Sequence, residues 1–384
     1  MKFEKRIAGY KIMKKIGIIT SISKGNYGNK LQNYALLKTL KDLGYEVETV
    51  NRKKEDKVKL IFYKLKTLIR DILKINYRSG ICRRENIFRK FDKKYLNISR
   101  YWTHENHYKS GINEEFDYFV CGSDQIWNPM YDTCLADMEG ATAYFAPSEK
   151  RIAYAASFGV GELPKKYMNM FKELLKDMKK ISVREESGAR IIRDILNVNV
   201  SVVLDPTLLL SKEEWCNFQN KPNVELPEKY IATYFIGNKS EEVKSYIDSL
   251  SKRYNYTIVD IYSEWLWDKD IDNLKYFSFD PTEFVYVISH CQIFFTDSFH
   301  GSVFATIFDK PFRVFERNDN VPDMWSRLEN LIKIIGNNSV IGQIDENLDN
   351  IIGEKVKYNK ENIDMLKDKS IKYLKQSLNF ETEL

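Results

Sequence analysis

The sequence predicts an α/β protein built from two doubly wound, Rossmann-like domains that face a cleft. Three observations lead there. Short β-rich runs alternate with segments of helical period along most of the 384 residues. These runs repeatedly end in small polar residues before the next helix starts. A polar stretch carrying Pro222 and Pro227, NFQNKPNVELPEKY, separates one series of such units from another. Alternation of this kind gives parallel sheets covered on both faces, with ligands gathering beyond the carboxyl ends of the strands.

In chain order, KIGIITS reads as the first strand. A Gly/Asn loop follows, then a helix with Leu31, Ala35, Leu36, Leu40 and Leu43 at helical spacing and Gly44 at its end. EVETV completes a βαβ unit. FDYFVCGSD and KRIAYAASFG are further strands, followed by a helix over 165–179. ISVREESG ends a strand in charge, GARIIRDILN is a helix, and NVSVVLDPTLLL is a strand running into Asp205-Pro206. The second series reads YIATYFIGN (strand), EEVKSYIDSLSKRYN (helix), YTIVDIYS (strand) and PTEFVYVISHC, a helix with Pro281 in its first turn. QIFFTDSFH, GSVFATIFD and KPFRVFER then give strand, helix and strand. The expected boundaries are 1–212 for the first domain, with a basic helical region at 52–100, 226–340 for the second, and a helical tail at 341–384.

Composition narrows the function classes. An apolar content of 43% with 30% charged residues fits a globular protein, and no apolar run approaches the ~20 residues of a membrane span. The basic start leads directly into a strand without a small-residue cleavage site, which predicts no signal peptide. The five cysteines are scattered and lack a CxxC pair, as expected of a protein in the reducing cytoplasm. Neither HExxH nor a paired His/carboxylate spacing occurs, so no metal is expected; no GxSxG occurs either. The net charge of +6 is uneven: between Asn51 and Arg100, 17 Lys/Arg face 5 Asp/Glu. Val58, Ile61, Phe62, Leu65, Leu68, Ile69 and Ile72 form an apolar stripe there. A basic amphipathic helix of this kind suits peripheral contact with an anionic membrane, or packing over the first domain with a solvated basic face. Nucleic acid is not an expected partner, because the whole chain is not strongly basic and carries no binding motif.

Four stretches carry candidate chemistry. In SKGNYGNKLQNYAL, Gly25, Asn26, Gly28 and Asn29 lie between strand and helix, where free N–H groups suit an anion or sugar hydroxyl; the alternative is a turn capped by Asn29. CGSDQIWNP sets Ser123, Asp124, Gln125, Trp127 and Asn128 after a strand. A carboxylate beside an indole binds sugars, and the alternative is a capped turn with Trp127 in the core. Arg184 in SVREESG offers a fork for carboxylate or phosphate, or a surface ion pair. In TDSFHG, Asp297, Ser298 and His300 stand at a strand end and Gly301 permits a close turn. His300 is the best placed of the four histidines for proton exchange. His290 reads as packing or capping, and His104 and His107 lie in a polar loop.

GNYGNKLQNYAL, FDYFVCGSDQIWNP, YAASFGV, ISVREESG, VVLDPTLLL and TDSFHGSVFATIFDKPF, in that order, resemble the polysaccharide pyruvyl transferase family. The resemblance implies a fold similar to two-domain GT-B enzymes. It also implies transfer of the enolpyruvyl group of phosphoenolpyruvate onto a sugar of a cell-surface polysaccharide or its lipid-linked precursor, with a pyruvate ketal formed and no cofactor. On that basis His300 is the catalytic residue. Arg184, from the first domain, and Ser298, Gly301 and Arg327, from the second, are donor-binding residues, the second domain being the donor side. Asn26, Gly28, Asn29, Gln32, Ser123, Asp124 and Trp127 are acceptor-binding residues in the first. Ser298 departs from the family pattern, which has an arginine two residues before this histidine in better-studied branches; Arg327 is the substitute. Two other readings stay open: a GT-B glycosyltransferase using a nucleotide sugar, and a carbohydrate-binding protein without catalysis. The expected place is the cytoplasm, with peripheral contact at the inner face of the membrane.

Overall fold

The computed structural model describes residues 13–23, 25–51, 76–102, 111–263, 279–317, 325–344 and 356–378, with Leu65 and Tyr276. The apolar stripe at 58–72, His104 and His107 lie outside the described residues, Leu65 excepted.

Two wholly parallel sheets organise the chain. The first contains β1 (Lys15–Ile19), β2 (Glu46–Asn51), β3 (Ile98–Trp102), β4 (Tyr118–Cys121), β5 (Arg151–Ala156), β6 (Lys180–Val183) and β7 (Ser201–Val202), in the order β3-β2-β1-β4-β5-β6-β7. The second contains β8 (Tyr230–Phe235), β9 (Thr257–Tyr262), β10 (Ile293–Thr296) and β11 (Phe312–Val314), in the order β11-β10-β8-β9. Strand order therefore reverses between β1 and β4 in one sheet and between β8 and β10 in the other. Those are the positions where loops diverge and leave room for ligands. The central strands are buried along their length, which is why they read as continuous apolar runs instead of alternating ones.

The helices that position the site are α1 (Tyr27–Asp42), α2 (Asn76–Phe91), α3 (Lys165–Leu175), α4 (Glu186–Leu196), α5 (Lys212–Phe218), α6 (Glu241–Tyr254), α7 (Pro281–His290), α8 (Phe299–Ile307), α9 (Ser326–Ile335) and α10 (Lys360–Leu378). Gly44 follows α1 with φ +92°, and its N–H closes the helix on the carbonyl of Lys41. The edge strand β3 was not anticipated. It falls in the basic stretch read as helical, and a charged five-residue edge strand shows little apolar periodicity.

One apolar cluster runs through both halves, from Ile16, Tyr27 and Leu31 to Phe284, Phe294 and Phe304. Tyr27 is its hinge pin. Its ring stacks on Phe284 at 4.3 Å between centroids, its hydroxyl donates 3.0 Å to the carbonyl of Phe279, and burial pushes that hydroxyl's pKa up to about 12. Arg84 joins the halves from the side, donating to the carbonyls of Gly25 at 2.8 Å and Tyr262 at 2.6 Å. The tail helix α10 returns to the first sheet, where Ser370 Oγ accepts from the Leu204 amide and the Tyr373 hydroxyl donates to the carbonyl of Ala153. No helix among the described residues is long and apolar enough to cross a membrane.

Two predictions follow from burial. Tyr27→Phe leaves the Phe279 carbonyl without its donor and is expected to cost about 1–2 kcal/mol in urea unfolding. Burial pushes the thiols of Cys121 and Cys291 up to about 12, whereas Cys216 is exposed; thiol-reactive dye at neutral pH should label Cys216 long before either of them.

Candidate active site

The loops after β1, β4, β6 and β7 converge with the first turns of α8 and α9. Helix α1 starts at its cap, Asn26, whose side chain accepts from the amide of Asn29 at 3.1 Å. The cap is thus Asn26, not Asn29. Asn29 instead turns its amide onto a carboxylate oxygen of Asp124. Gln32 lies beneath, donating to Thr20 Oγ1 at 2.8 Å and accepting from the amide of Ser123 at 3.2 Å.

On the opposite wall, Ser298 is the N-cap of α8. Its hydroxyl accepts from the Gly301 amide, and it is 3% exposed. Gly301 is there for packing: a Cβ would meet Thr296 Oγ1 at 2.9 Å and the ring of Phe294 at 3.0 Å. Asp297 accepts from the amides of Ile236 at 2.6 Å and Gly237 at 2.7 Å, stapling the loops at the second sheet's switch point. His300 follows in the first turn of α8 and reaches the first domain. A Cβ on Gly28 would sit 2.1 Å from His300 Nδ1, so the imidazole lies directly against the first turn of α1.

The floor between these helices is charged and buried. Asp205, 1% exposed, was quoted in the sequence but not singled out. Its Oδ1 accepts from the amide of Thr207 at 3.0 Å and from Thr207 Oγ1 at 2.6 Å. Its Oδ2 accepts from Arg184 Nη1 at 2.9 Å, lies 3.2 Å from Ser123 Oγ, and stands 3.5 Å from His300 Nε2. Burial alone would raise the Asp205 carboxyl's pKa. The facing imidazole, Arg184 and Thr207 reverse that and hold it well below the usual carboxylate range. A signal for it existed in Asp205-Pro206-Thr207, an aspartate turn at a strand end, but a turn motif looks the same whether or not a histidine arrives from another domain.

Arg184, read from sequence as a donor ligand or surface ion pair, is 2% exposed and serves as the hub. Besides Asp205, it stands 3.7 Å from Asp124 and 3.5 Å from Glu185, and its guanidinium lies 4.5 Å over the ring of Phe299. Burial works against its charge while the three carboxylates favour it, and the net result is a raised pKa. Arg327, from the first turn of α9, is beside it: burial and the neighbouring Arg184 push its pKa down to about 10. The amide of Gln125 is assigned with its oxygen toward Arg327, an orientation in which it accepts from both terminal nitrogens at 2.5 and 2.9 Å. Trp127 takes no part. It is fully buried, donates to the carbonyl of Ala141 at 3.2 Å and packs on Phe158, so its indole face is core. His290 is at the far end of α7, stacked on Tyr286.

Three chemical capacities result: an imidazole for proton transfer, two buried guanidinium groups for an anion, and amide and carboxylate side chains for hydroxyls. Among the described residues no group of three or more His, Cys, Asp or Glu is arranged to hold a metal ion.

A depressed carboxylate pKa contributes stability above the unfolded value, near 3.8, that is lost as pH falls toward the folded one. Thermal melts between pH 6 and 2 should therefore show stability falling below about pH 4. In Asp205→Asn that part of the acid dependence should be missing.

Several solved structures are similar in overall course. The UDP-GlcNAc 2-epimerase of Methanocaldococcus jannaschii matches at 13% identity and TM-score 0.43, over 93% of this chain and 99% of that one. That of Neisseria meningitidis matches at 11% and 0.45, over 94% and 100%. A UDP-glucosyltransferase of Polygonum tinctorium matches at 10% and 0.40, over 97% and 99%. No curated protein matches the chain. The family model for polysaccharide pyruvyl transferase matches residues 26–320, a span that holds nearly every residue of the charged floor and both helix starts above it, and the chain belongs to that family.

Proposed function

We propose that this protein transfers the enolpyruvyl group of phosphoenolpyruvate to a saccharide and closes a pyruvate ketal across two hydroxyls. The observation that carries the reading is that His300 faces Asp205, the carboxylate that also holds the buried Arg184 guanidinium, with the buried Arg327 near that arginine. Holding Arg184 and Arg327 together out of water is costly, and a bound carboxylate and phosphate would offset that cost. Phosphoenolpyruvate supplies both anionic groups on three carbons.

Proton accounting suits a single histidine. His300 gives a proton to the methylene carbon, which becomes a methyl group as positive charge develops at the neighbouring carbon. A sugar hydroxyl attacks that carbon and returns its proton to the imidazole. The second hydroxyl then displaces the phosphate, which carries away the second proton. Asn29 and Asp124 face the acceptor side in this reading, through amide and carboxylate groups that match sugar hydroxyls, whereas Gln32 and Ser123 are fully buried and hold the loop behind them through Thr20 and Asp205. The acceptor is a cell-surface polysaccharide unit or its lipid-linked precursor, handled in the cytoplasm at the inner face of the membrane.

A second reading, glycosyl transfer from a nucleotide sugar, is favoured by one observation. A cavity of about 340 Å³ opens beyond the carboxyl ends of β8 and β11, lined by Phe235, Lys239, Phe315, Glu316 and Arg317 among others. Its volume falls within the ~300–1,000 Å³ usual for small-molecule sites.

The test is phosphate release from phosphoenolpyruvate with a panel of lipid-linked and nitrophenyl saccharides. Acceptor-dependent release is expected, reduced about 10²–10⁴-fold in His300→Gln. Release that is unchanged in the variant would remove His300 from the mechanism. No release with any acceptor, together with tight binding of a nucleotide sugar, would establish the second reading.

A further inference from the structure

We propose that Asp205 is the positioning residue for His300, holding the ring by its Nε2 side while Gly28 seats the Nδ1 edge, so that the working histidine exists only when both domains are in contact. This rests on the pyruvyl-transfer reading and extends it to the residues that make the imidazole competent.

The geometry is specific. His300 comes from the second domain, whereas Asp205 and Gly28 come from the first. Asp205 Oδ2 is the acceptor facing Nε2, at 3.5 Å, within ion-pair range. His300 Nε2 is buried and makes no other hydrogen bond. The carboxylate itself cannot turn away. Thr207 fixes Oδ1 through two donors, and Arg184 fixes Oδ2 from the other side. A carboxylate so held selects the Nε2–H tautomer and leaves Nδ1 as the unprotonated nitrogen, seated on the first turn of α1. The groups charged or titratable around this pair are Arg184, Asp124, Glu185 and Arg327. Of these, Arg184 binds Asp205 directly, so Asp205 links the arginine hub to the histidine.

Gly28 is the other half of the seat. A methyl group there would overlap Nδ1 at 2.1 Å and the ring carbons at 2.7 and 2.9 Å, all under the distance at which something must shift. Helix α1 itself accepts alanine at this position, because only the cross-domain contact forbids it.

The experiment compares wild type, Asp205→Asn and Gly28→Ala in phosphate release, and reads the His300 ring by ¹⁵N NMR on protein labelled at histidine. Expected for Asp205→Asn is kcat lowered about 10²-fold with KM for phosphoenolpyruvate within about threefold, and a His300 signal moved off the Nε2–H tautomer. Gly28→Ala should lower kcat similarly and shift the same signal, with a cooperative melt retained. Either variant keeping wild-type kcat, or a His300 tautomer unchanged in Asp205→Asn, would overturn the proposal. The NMR comparison does not depend on turnover. If wild type releases no phosphate from any donor–acceptor pair, the pyruvyl-transfer reading fails, while a tautomer shift in Asp205→Asn would still support the positioning role.

Discussion

The contact on which this structure turns is between two helix starts, one following a strand of each sheet. The first turn of α1 bears Tyr27 and Gly28, and the first turn of α8 bears Phe299 and His300. Tyr27 is large and apolar and fills the gap between the sheets. Gly28 is small and lets the imidazole approach the backbone. One residue thus binds the two domains and its neighbour leaves room for chemistry between them. Because consecutive positions on a helix point about 100° apart, adjacent residues can serve such different surfaces without competing.

Around that contact the protein maintains a charged interior. Asp124, Glu185 and Asp205 surround Arg184, and Arg327 stands next to it. Placing that many ionised groups out of water is costly unless each is compensated, and here the compensation comes from loops on four strands plus two helix starts. Such an arrangement is poorly suited to stability alone, since apolar side chains would pack the same space at lower cost. What it provides is a set of charges already oriented out of water, which need no reorganisation beside an incoming charged group. The parallel sheets serve this by bringing the carboxyl ends of β4, β5, β6 and β7 to one side, where a single arginine can reach three different loops.

Several residues with chemical potential turn out to be builders. Asp297 staples two loops, Ser298 caps α8, Gly301 lets α8 sit on β10, and Trp127 belongs to the core. They lie within a few residues of the reactive groups because the same strand ends must both terminate cleanly and present side chains. Ser298 is instructive: it caps α8 through its hydroxyl, which an arginine at this position could not do.

The sequence by itself determined the α/β class and the alternation of strands and helices, and it singled out the strand-end loops as candidates for a site. Those features rest on local rules: apolar runs for buried strands, helical spacing, and small polar residues where a strand gives way to a helix. It also marked His300 and Arg184 by residue type and position at strand ends. Only the tertiary structure decided which of the polar residues meet. Asp205 is 95 residues from His300 in the chain, and Gly28 is farther still. Nothing local says that a turn aspartate faces a histidine or that a helix glycine lies beneath one. The burial of Trp127 and the edge strand β3 were decided in the same way, by packing and pairing partners distant in sequence. Periodicity reports what a segment does with its own neighbours; the charged cluster is made of pairs that are neighbours only once the chain has folded.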